Sequence, residues 1–426
     1  MRVFDAKGLA AFGEQIAYAL LGALSGAVIG LVCGVFGKGI DALSAFGTSR
    51  FSLYVWFLPA VGLLTAAMLR VFAKNSPTGM GAVFKASRGE GEDFPLRNVA
   101  FQFAGTWGAH LFCASVGREG AGVQIGAAIG GCFGRAVPLR DAPHVLLVAG
   151  MAAGFSALFG TPVCALFFAL EVTVVGKLRL RAFTASLFSS YAALFVANLL
   201  GVTHILEHTS FEFTMSVSLF LRLFGFGALC GLAGLFFCLA RKYIAKFFSF
   251  CCPNSYVRAA VCGLLLACLL FVSGGRYSGL GTNLIQEAVS GGTVYAWDWV
   301  VKLLFTATFL SVGFVGGEVT TLFAAGACLG AVAGELFGIP AEAAACLGYA
   351  ALFGAATNTL LAPLFLGTEM FGGSALPVMA IVCLAAYLFN FGHSVYKQSI
   401  SESLGGQGLL ATEKQRLLHL PHTLRR

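Results

Sequence analysis

The chain has 426 residues, of which 58% are hydrophobic and only 11% charged. A soluble domain carries about 25% charged residues, so a soluble globule is excluded, and long apolar runs in place of roughly ten-residue alternating strands exclude an outer-membrane barrel. The net charge of +8 is spread along the chain without a basic tract, which points to loops and termini of a polytopic helical membrane protein and away from nucleic-acid binding.

Residues 1–15 read as a short cytoplasmic N-terminal segment. The apolar stretch 16–36 is too long for a signal-peptide core and is the first expected membrane helix. The second is 51–72, ended by Lys74-Asn75-Ser76-Pro77. Then Thr78-Gly79-Met80-Gly81 makes a glycine-broken turn into a charged segment that ends near Arg97. Stretches 99–113 and 121–133 are apolar but short for a crossing at about 1.5 Å per residue. Stretch 145–158 leads through Gly160-Thr161-Pro162 to 163–170 and Glu171. A loop with Lys177, Arg179 and Arg181 precedes a span at 183–200, and the polar connector 204–213 is the best boundary. A long span at 216–239 follows. Spans at 259–272 and 297–312 flank a glycine-rich stretch, and apolar runs at 322–337, 343–355, 360–370 and 378–391 complete the series. The polar tail, 401–426, is expected to be cytoplasmic and is too short for a folded regulatory domain. The 13 cysteines lie mostly inside apolar runs and form no C-x-x-C pair, so they read as small core residues.

Between two of the short runs stands Gly117-Arg118-Glu119-Gly120. Taken alone, such a tetrapeptide also suits a polar turn in headgroup water. Charges at membrane depth are expensive and usually face a protein interior or a water-filled path. A helix starting near Glu119 would aim free N–H groups and a positive dipole end at whatever lies before it, which favours an anion. The reading is an anion path with Glu119 in it.

The chain repeats itself. Gly117-x-Glu119 recurs as Gly316-x-Glu318 at an offset of 199 residues. Gly150-Met151-Ala152-Ala153 recurs as Gly348-Tyr349-Ala350-Ala351, and Glu171 as Glu369, both at an offset of 198. Two half-repeats are expected, 16–210 and 211–400. Interrupted segments at matching places in two halves point to a binding site near the midplane.

Gly117-Arg118-Glu119-Gly120 with Val123-Gln124-Ile125-Gly126 resembles the G-R/K-E-G-P-x-V-Q-I-G motif of the CLC family of anion channels and proton-coupled anion antiporters. Gly160-Thr161-Pro162 through Glu171 resembles its second signature. Gly316-Gly317 through Gly326 stands where the family has G-x-F-A-P, and Tyr396 resembles its late anion-site tyrosine. The resemblance spans about residues 15–400. It implies an all-α polytopic membrane protein with the CLC fold, two inverted repeats of short, tilted and broken transmembrane helices.

Carried over, the resemblance makes Glu119 the gating and proton-coupling glutamate and Glu318 its mirror in the second half. It makes Met80, Gly81, Phe84, Gly120, Gly122, Thr320, Thr321, Leu322, Phe323 and Tyr396 the anion-binding set, with backbone N–H groups completing the cradle. Arg118 shapes the field at the entrance. Met80 replaces the anion-binding serine of chloride-type members, and Gly317-Glu318-Val319-Thr320 is close to the G-E-V-T of the fluoride/proton antiporter branch. Val172 stands where chloride exchangers carry an internal proton glutamate, which the fluoride branch also lacks. Ala121 and Thr321 replace prolines. Glu171 reads as a structural or interface charge, and Thr320 also suits a helix N-cap.

The expected function is therefore export of fluoride in exchange for protons from a homodimer in the cell inner (plasma) membrane. The partners are fluoride or chloride ions and protons. The alternative is a chloride/proton antiporter or voltage-gated-type chloride channel of the same fold. An intramembrane enzyme would need a G-x-S-x-G or H-E-x-x-H within a span, and neither occurs. His110, His144 and His393 have no ligand spacing, so no metal and no cofactor are expected.

Overall fold

The structure, a computed structural model, describes residues 6–73, 77–139, 141–204 and 213–401. The extreme N-terminus, most of the 204–213 connector and the polar tail lie outside the described residues. Among the described residues, seven helices are long and apolar enough to cross a membrane.

The first of these runs unbroken over Ala6–Ser49, 44 residues, well beyond the expected 16–36. Its length follows from its packing. Gly22, Gly26 and Gly30 form an i, i+4 stripe against the helix Phe183–Leu199. A Cβ on any of the three would lie 2.3–2.5 Å from a backbone oxygen of Ala185, Ser189 or Ala193. Small residues at such a seam let two backbones touch where lipid gives no hydrophobic drive. The polar residues after Phe36, which read as a loop, are the end of this helix at the membrane face. There the Lys38 Nζ donates to the Leu200 carbonyl at 2.8 Å.

Two series of helices have the same order. Ala6–Ser49, Leu58–Ala73, Met80–Ser87, Arg97–Leu111, Glu119–Arg135, Ala142–Phe159, Pro162–Glu171 and Phe183–Leu199 form the first. Val217–Cys251, Ser255–Val272, Thr282–Val289, Asp298–Val312, Val319–Ala333, Ala341–Thr357, Leu361–Phe371 and Leu376–Phe389 form the second. Several are far shorter than the roughly 20 residues of a full crossing. Counterparts meet one another across the molecule. Gly117 and Gly317 form an antiparallel bridge, exchanging N–H···O bonds of 2.5 and 2.7 Å. The rings of Phe167 and Phe365 stack at 4.5 Å and 10°. Antiparallel pairing of equivalent or adjacent positions (Gly117 matches Gly316 and pairs with Gly317) is what an approximate two-fold axis between inverted copies produces.

Each half is locked by close glycine contacts between its central helices. A Cβ on Gly126 would fall 2.0 Å from the Gly150 carbonyl oxygen, and in the second half one on Gly326 would fall 2.2 Å from that of Gly348. Helix pairs Glu119–Arg135/Ala142–Phe159 and Val319–Ala333/Ala341–Thr357 are thus in backbone contact. Among the described residues, the one sheet is a two-residue parallel pair, Val174–Val175 with Ser399–Ile400, which ties the segment after Tyr396 to the first half.

Charged side chains lie at two levels. One holds Glu14, Arg181 and Asp141, with Arg88–Glu90 and Arg135–Asp93. The other holds Asp41–Arg118 and Arg276 with Glu287 and Asp298. Glu14 and Asp41 stand on one helix, about 40 Å apart along its axis. That separation brackets a hydrocarbon core of about 30 Å.

Candidate anion site

The helix Glu119–Arg135 starts at the charged motif, with Arg118 as its N-cap. Its counterpart Val319–Ala333 starts after Glu318. The Gly117–Gly317 bridge lies just before both starts, so the two N-termini converge near the pseudo-two-fold axis. Each leaves N–H groups of its first turn without intrahelical partners.

The Glu119 carboxylate fills this place. Its Oε2 accepts from the Thr320 amide at 3.1 Å and from the Arg118 amide at 3.1 Å. The first half's carboxylate therefore caps the second half's helix. The Arg118 Nε stands 3.7 Å from Glu119 Oε1. The same guanidinium donates to Asp41 at 2.7 Å, which aims it at a vestibule of about 580 Å³ lined by Asp41, Ser44, Arg118, Arg276 and residues 279–281.

Glu318 is arranged differently. It turns to Arg241 of the long helix Val217–Cys251, whose Nη1 donates to its Oε2 at 3.1 Å. Glu318, and not Thr320, is the N-cap residue, and its carbonyl accepts from the Thr321 hydroxyl at 2.6 Å. The Thr320 hydroxyl is buried and lies beside the Glu119 carboxylate.

Gly79, with φ of 80°, caps Met80–Ser87. A Cβ at Gly79 or Gly81 would meet no atom within 4 Å, so this helix start borders open space. Phe84 is fully buried and meets the Tyr396 ring edge to face at 5.6 Å. The Tyr396 side chain also lies beside Glu318. The expected residues thus gather into one group around Glu119 and Thr320 and a second around Met80, Phe84, Tyr396 and Glu318.

The amide cradle shifts from its expected place. The Gly122 amide donates to the Arg118 carbonyl at 3.1 Å and the Leu322 amide to the Glu318 carbonyl at 2.9 Å. Both are closed within their helices, so neither is open to an anion. Phe323 lies one residue deeper, and its ring stacks on Tyr349 at 4.2 Å as core packing. The first-turn donors outside the intrahelical ladder are Gly120 and Ala121 in one half and Val319 to Thr321 in the other, where the Thr320 amide is taken by Glu119.

Three residues with clear positions escaped the sequence reading. Gln124 joins three pieces of the site. Its Oε1 accepts from the Gly79 amide at 3.1 Å and from Gln102 Nε2 at 2.9 Å, and its Nε2 donates to the Gly120 carbonyl at 3.0 Å. Arg241 pairs with Glu318. Lys302 is fully buried and donates to Ser115 Oγ at 3.0 Å and to the carbonyls of Tyr277 at 3.0 Å and Gly279 at 2.8 Å. The available signal was a polar side chain inside an apolar run, which does not name its partner.

Inverted copies whose helix starts converge on one buried carboxylate define a membrane transporter. The voltage gated chloride channel family matches residues 61–390, and the chain belongs to that family, the CLC family. It is 34% identical over 352 residues, 80% of this chain and 76% of the other, to a chloride/fluoride channel protein of Pseudomonas syringae pv. tomato. It is 26% identical over 424 residues to an H(+)/Cl(-) exchange transporter of Yersinia pestis, covering 91% of this chain and 88% of that one. The crystal structure of a CLC-type fluoride/proton antiporter superposes with a TM-score of 0.88 at 39% identity, over 93% of this chain and all of that one. A slow cyanobacterial Cl-/H+ antiporter shares the fold, with a TM-score of 0.74 at 17% identity over 93% of this chain and 98% of that one.

Proposed function

We propose that the protein exports fluoride in exchange for protons. The observation that carries the reading is the Glu119 carboxylate seated on the Thr320 amide, where two helix starts meet. A carboxylate held by N–H donors occupies the place of an anion, and protonation weakens that hold. An anion can then replace it, and the displaced acid carries a proton. One side chain so links the two fluxes.

Fluoride, and not chloride, is favoured at the Met80 end. Fluoride is small and tightly hydrated, so its site needs strong donors to replace that water. The open Met80 and Gly81 amides, the edge of Phe84 and the Tyr396 hydroxyl offer them without the serine of chloride-type members. On the proposed route, Glu318, Thr320 and Thr321 are placed between this end and Glu119. A relative named for both chloride and fluoride stands at 34% identity and a structure named for fluoride at 39%, above the H(+)/Cl(-) exchange transporter at 26%.

The level that holds Glu14 also carries Arg88, Arg135, Arg179 and Arg181, so the positive-inside rule makes it the cytoplasmic face. Glu119 then opens toward the outside through Arg118. The working unit is a homodimer in the cell inner (plasma) membrane, as the family resemblance implies.

The test is efflux from liposomes loaded with fluoride or chloride, read by ion-selective electrodes under a proton gradient. The expected result is fast fluoride efflux with proton uptake, weak chloride efflux, and loss of proton coupling in Glu119→Gln. Chloride efflux equal to or above fluoride would move the assignment to a chloride/proton exchanger.

A further inference from the structure

On the face that carries Glu14 lies a second cavity, of about 490 Å³, away from the Glu119 path. Arg88, His144, Lys177, Arg179 and Arg181 line it, with Asp141 as its one carboxylate. We propose that this cavity binds a phosphate-class anion, either free phosphate or the headgroup of an anionic phospholipid.

Three features converge. The first is charge. Four cationic side chains line the cavity with one lining carboxylate. Arg88 is paired with Glu90, and Arg181 with Glu14 and Asp141, which leaves Lys177 and Arg179 without a carboxylate partner among the described residues. Lys177 is exposed and has no ion-pair partner among the described residues. The second is the backbone. The 18-residue helix Ala142–Phe159 begins at the cavity, with Asp141 as its N-cap, so a positive dipole end points the same way. The third is shape. The space far exceeds a bare halide, whereas guanidinium forks suit an anion with several oxygens. Basic pockets between membrane helices on the cytoplasmic side are where such headgroups bind.

The cavity also touches the helix that carries Met80. Arg179 donates to the Ser87 carbonyl, and His144 Nδ1 contacts the Ala86 carbonyl at 3.0 Å. Both bonds hold the last turn of Met80–Ser87. An anion that draws Arg179 toward the cavity loosens that turn and so alters flux, a consequence that rests on the transport reading. Binding itself does not rest on it.

The experiment measures the melting midpoint of the purified full-length protein in neutral detergent. Inorganic phosphate, short-chain phosphatidylglycerol and short-chain phosphatidylcholine are added in separate arms, against chloride at matched ionic strength. Phosphate or phosphatidylglycerol is expected to raise the midpoint by several degrees, with phosphatidylcholine and chloride inert. The rise is expected to fall by at least half in Lys177→Gln and in Arg88→Gln, each compared with its own unliganded midpoint. A rise with both phosphate and phosphatidylglycerol assigns the site to phosphate itself, and one with the lipid alone assigns it to the headgroup. No rise in either arm, an equal rise with chloride, or an undiminished rise in both variants would overturn the proposal, whatever the efflux assay gives.

Discussion

Glu171 and Glu369 each cap the helix that carries the other. The Glu171 carboxylate accepts from the Leu360, Leu361 and Ala362 amides at 2.6–3.3 Å, at the start of Leu361–Phe371. Glu369 accepts from the Val163 and Cys164 amides, both at 2.8 Å, at the start of Pro162–Glu171. The exchange fixes two helices too short to hold themselves across a membrane. Glu171→Ala or Glu369→Ala is expected to destabilise the protein by about 2 kcal/mol, the scale of a lost charged cap with buried amides left open. Thermal unfolding checks it. The Gln variants, which keep an acceptor, are expected to recover part of the loss.

Gln124 sets the spacing between the Met80 helix start and the Glu119 helix. Gln124→Leu fills a similar volume but strands the Gly79 amide and the Gln102 amide group, each at about 1–3 kcal/mol. The expected outcome is a lower ratio of fluoride to chloride efflux. Gln124→Glu, which still accepts from Gly79, is expected to keep more of that ratio.

Arg241 is the only ion-pair partner of Glu318 among the described residues. Breaking a fully buried pair costs about 3–5 kcal/mol. Arg241 is 30% exposed at its side chain, and solvent screening reduces the figure to about 1–2 kcal/mol. Arg241→Gln is expected to lower the melting midpoint and slow fluoride efflux, and Arg241→Lys to retain most of both.

Glycines divide by what a methyl group would meet. Gly126→Ala places one 2.0 Å from the Gly150 carbonyl oxygen, forcing the helices apart at a cost of about 3 kcal/mol. Little folded protein is expected in size-exclusion chromatography. Gly13→Ala meets nothing within 4 Å in an exposed helical turn, and is expected to be neutral or stabilising by up to about 1 kcal/mol. Equal behaviour of the two variants would remove the packing explanation.

The sequence carried the skeleton of this account. The Glu119 helix start was legible because a charge enters a glycine-alanine run there, and the copies were legible because Glu119, Gly150 and Glu171 recur 198 or 199 residues further on. Glu171 read as a structural charge, and its helix cap is such a role. What stayed hidden was set by distance along the chain. Arg241 meets Glu318 from 77 residues away, and Gln124 meets Gly79 from 45 residues away. The end of the first helix was hidden for another reason. Lys38 and Asp41 look like a loop until their partners at the membrane face are seen. Spacing alone also does not tell which amides a helix closes upon itself, as at Gly122 and Leu322.

The glycine contacts at Gly126–Gly150 and Gly326–Gly348 bear on how access could alternate. Helices whose carbonyl oxygens rest against a neighbour's Cα have no clearance in which to slide or rock. Each half is therefore a stiff plate, and sliding of these helices past one another within a half is closed off. What remains free is rotation about the side-chain torsions of residues such as Glu119. In the proposed cycle the swing of Glu119, an arm a few ångströms long, can proceed with the helices of each half at rest.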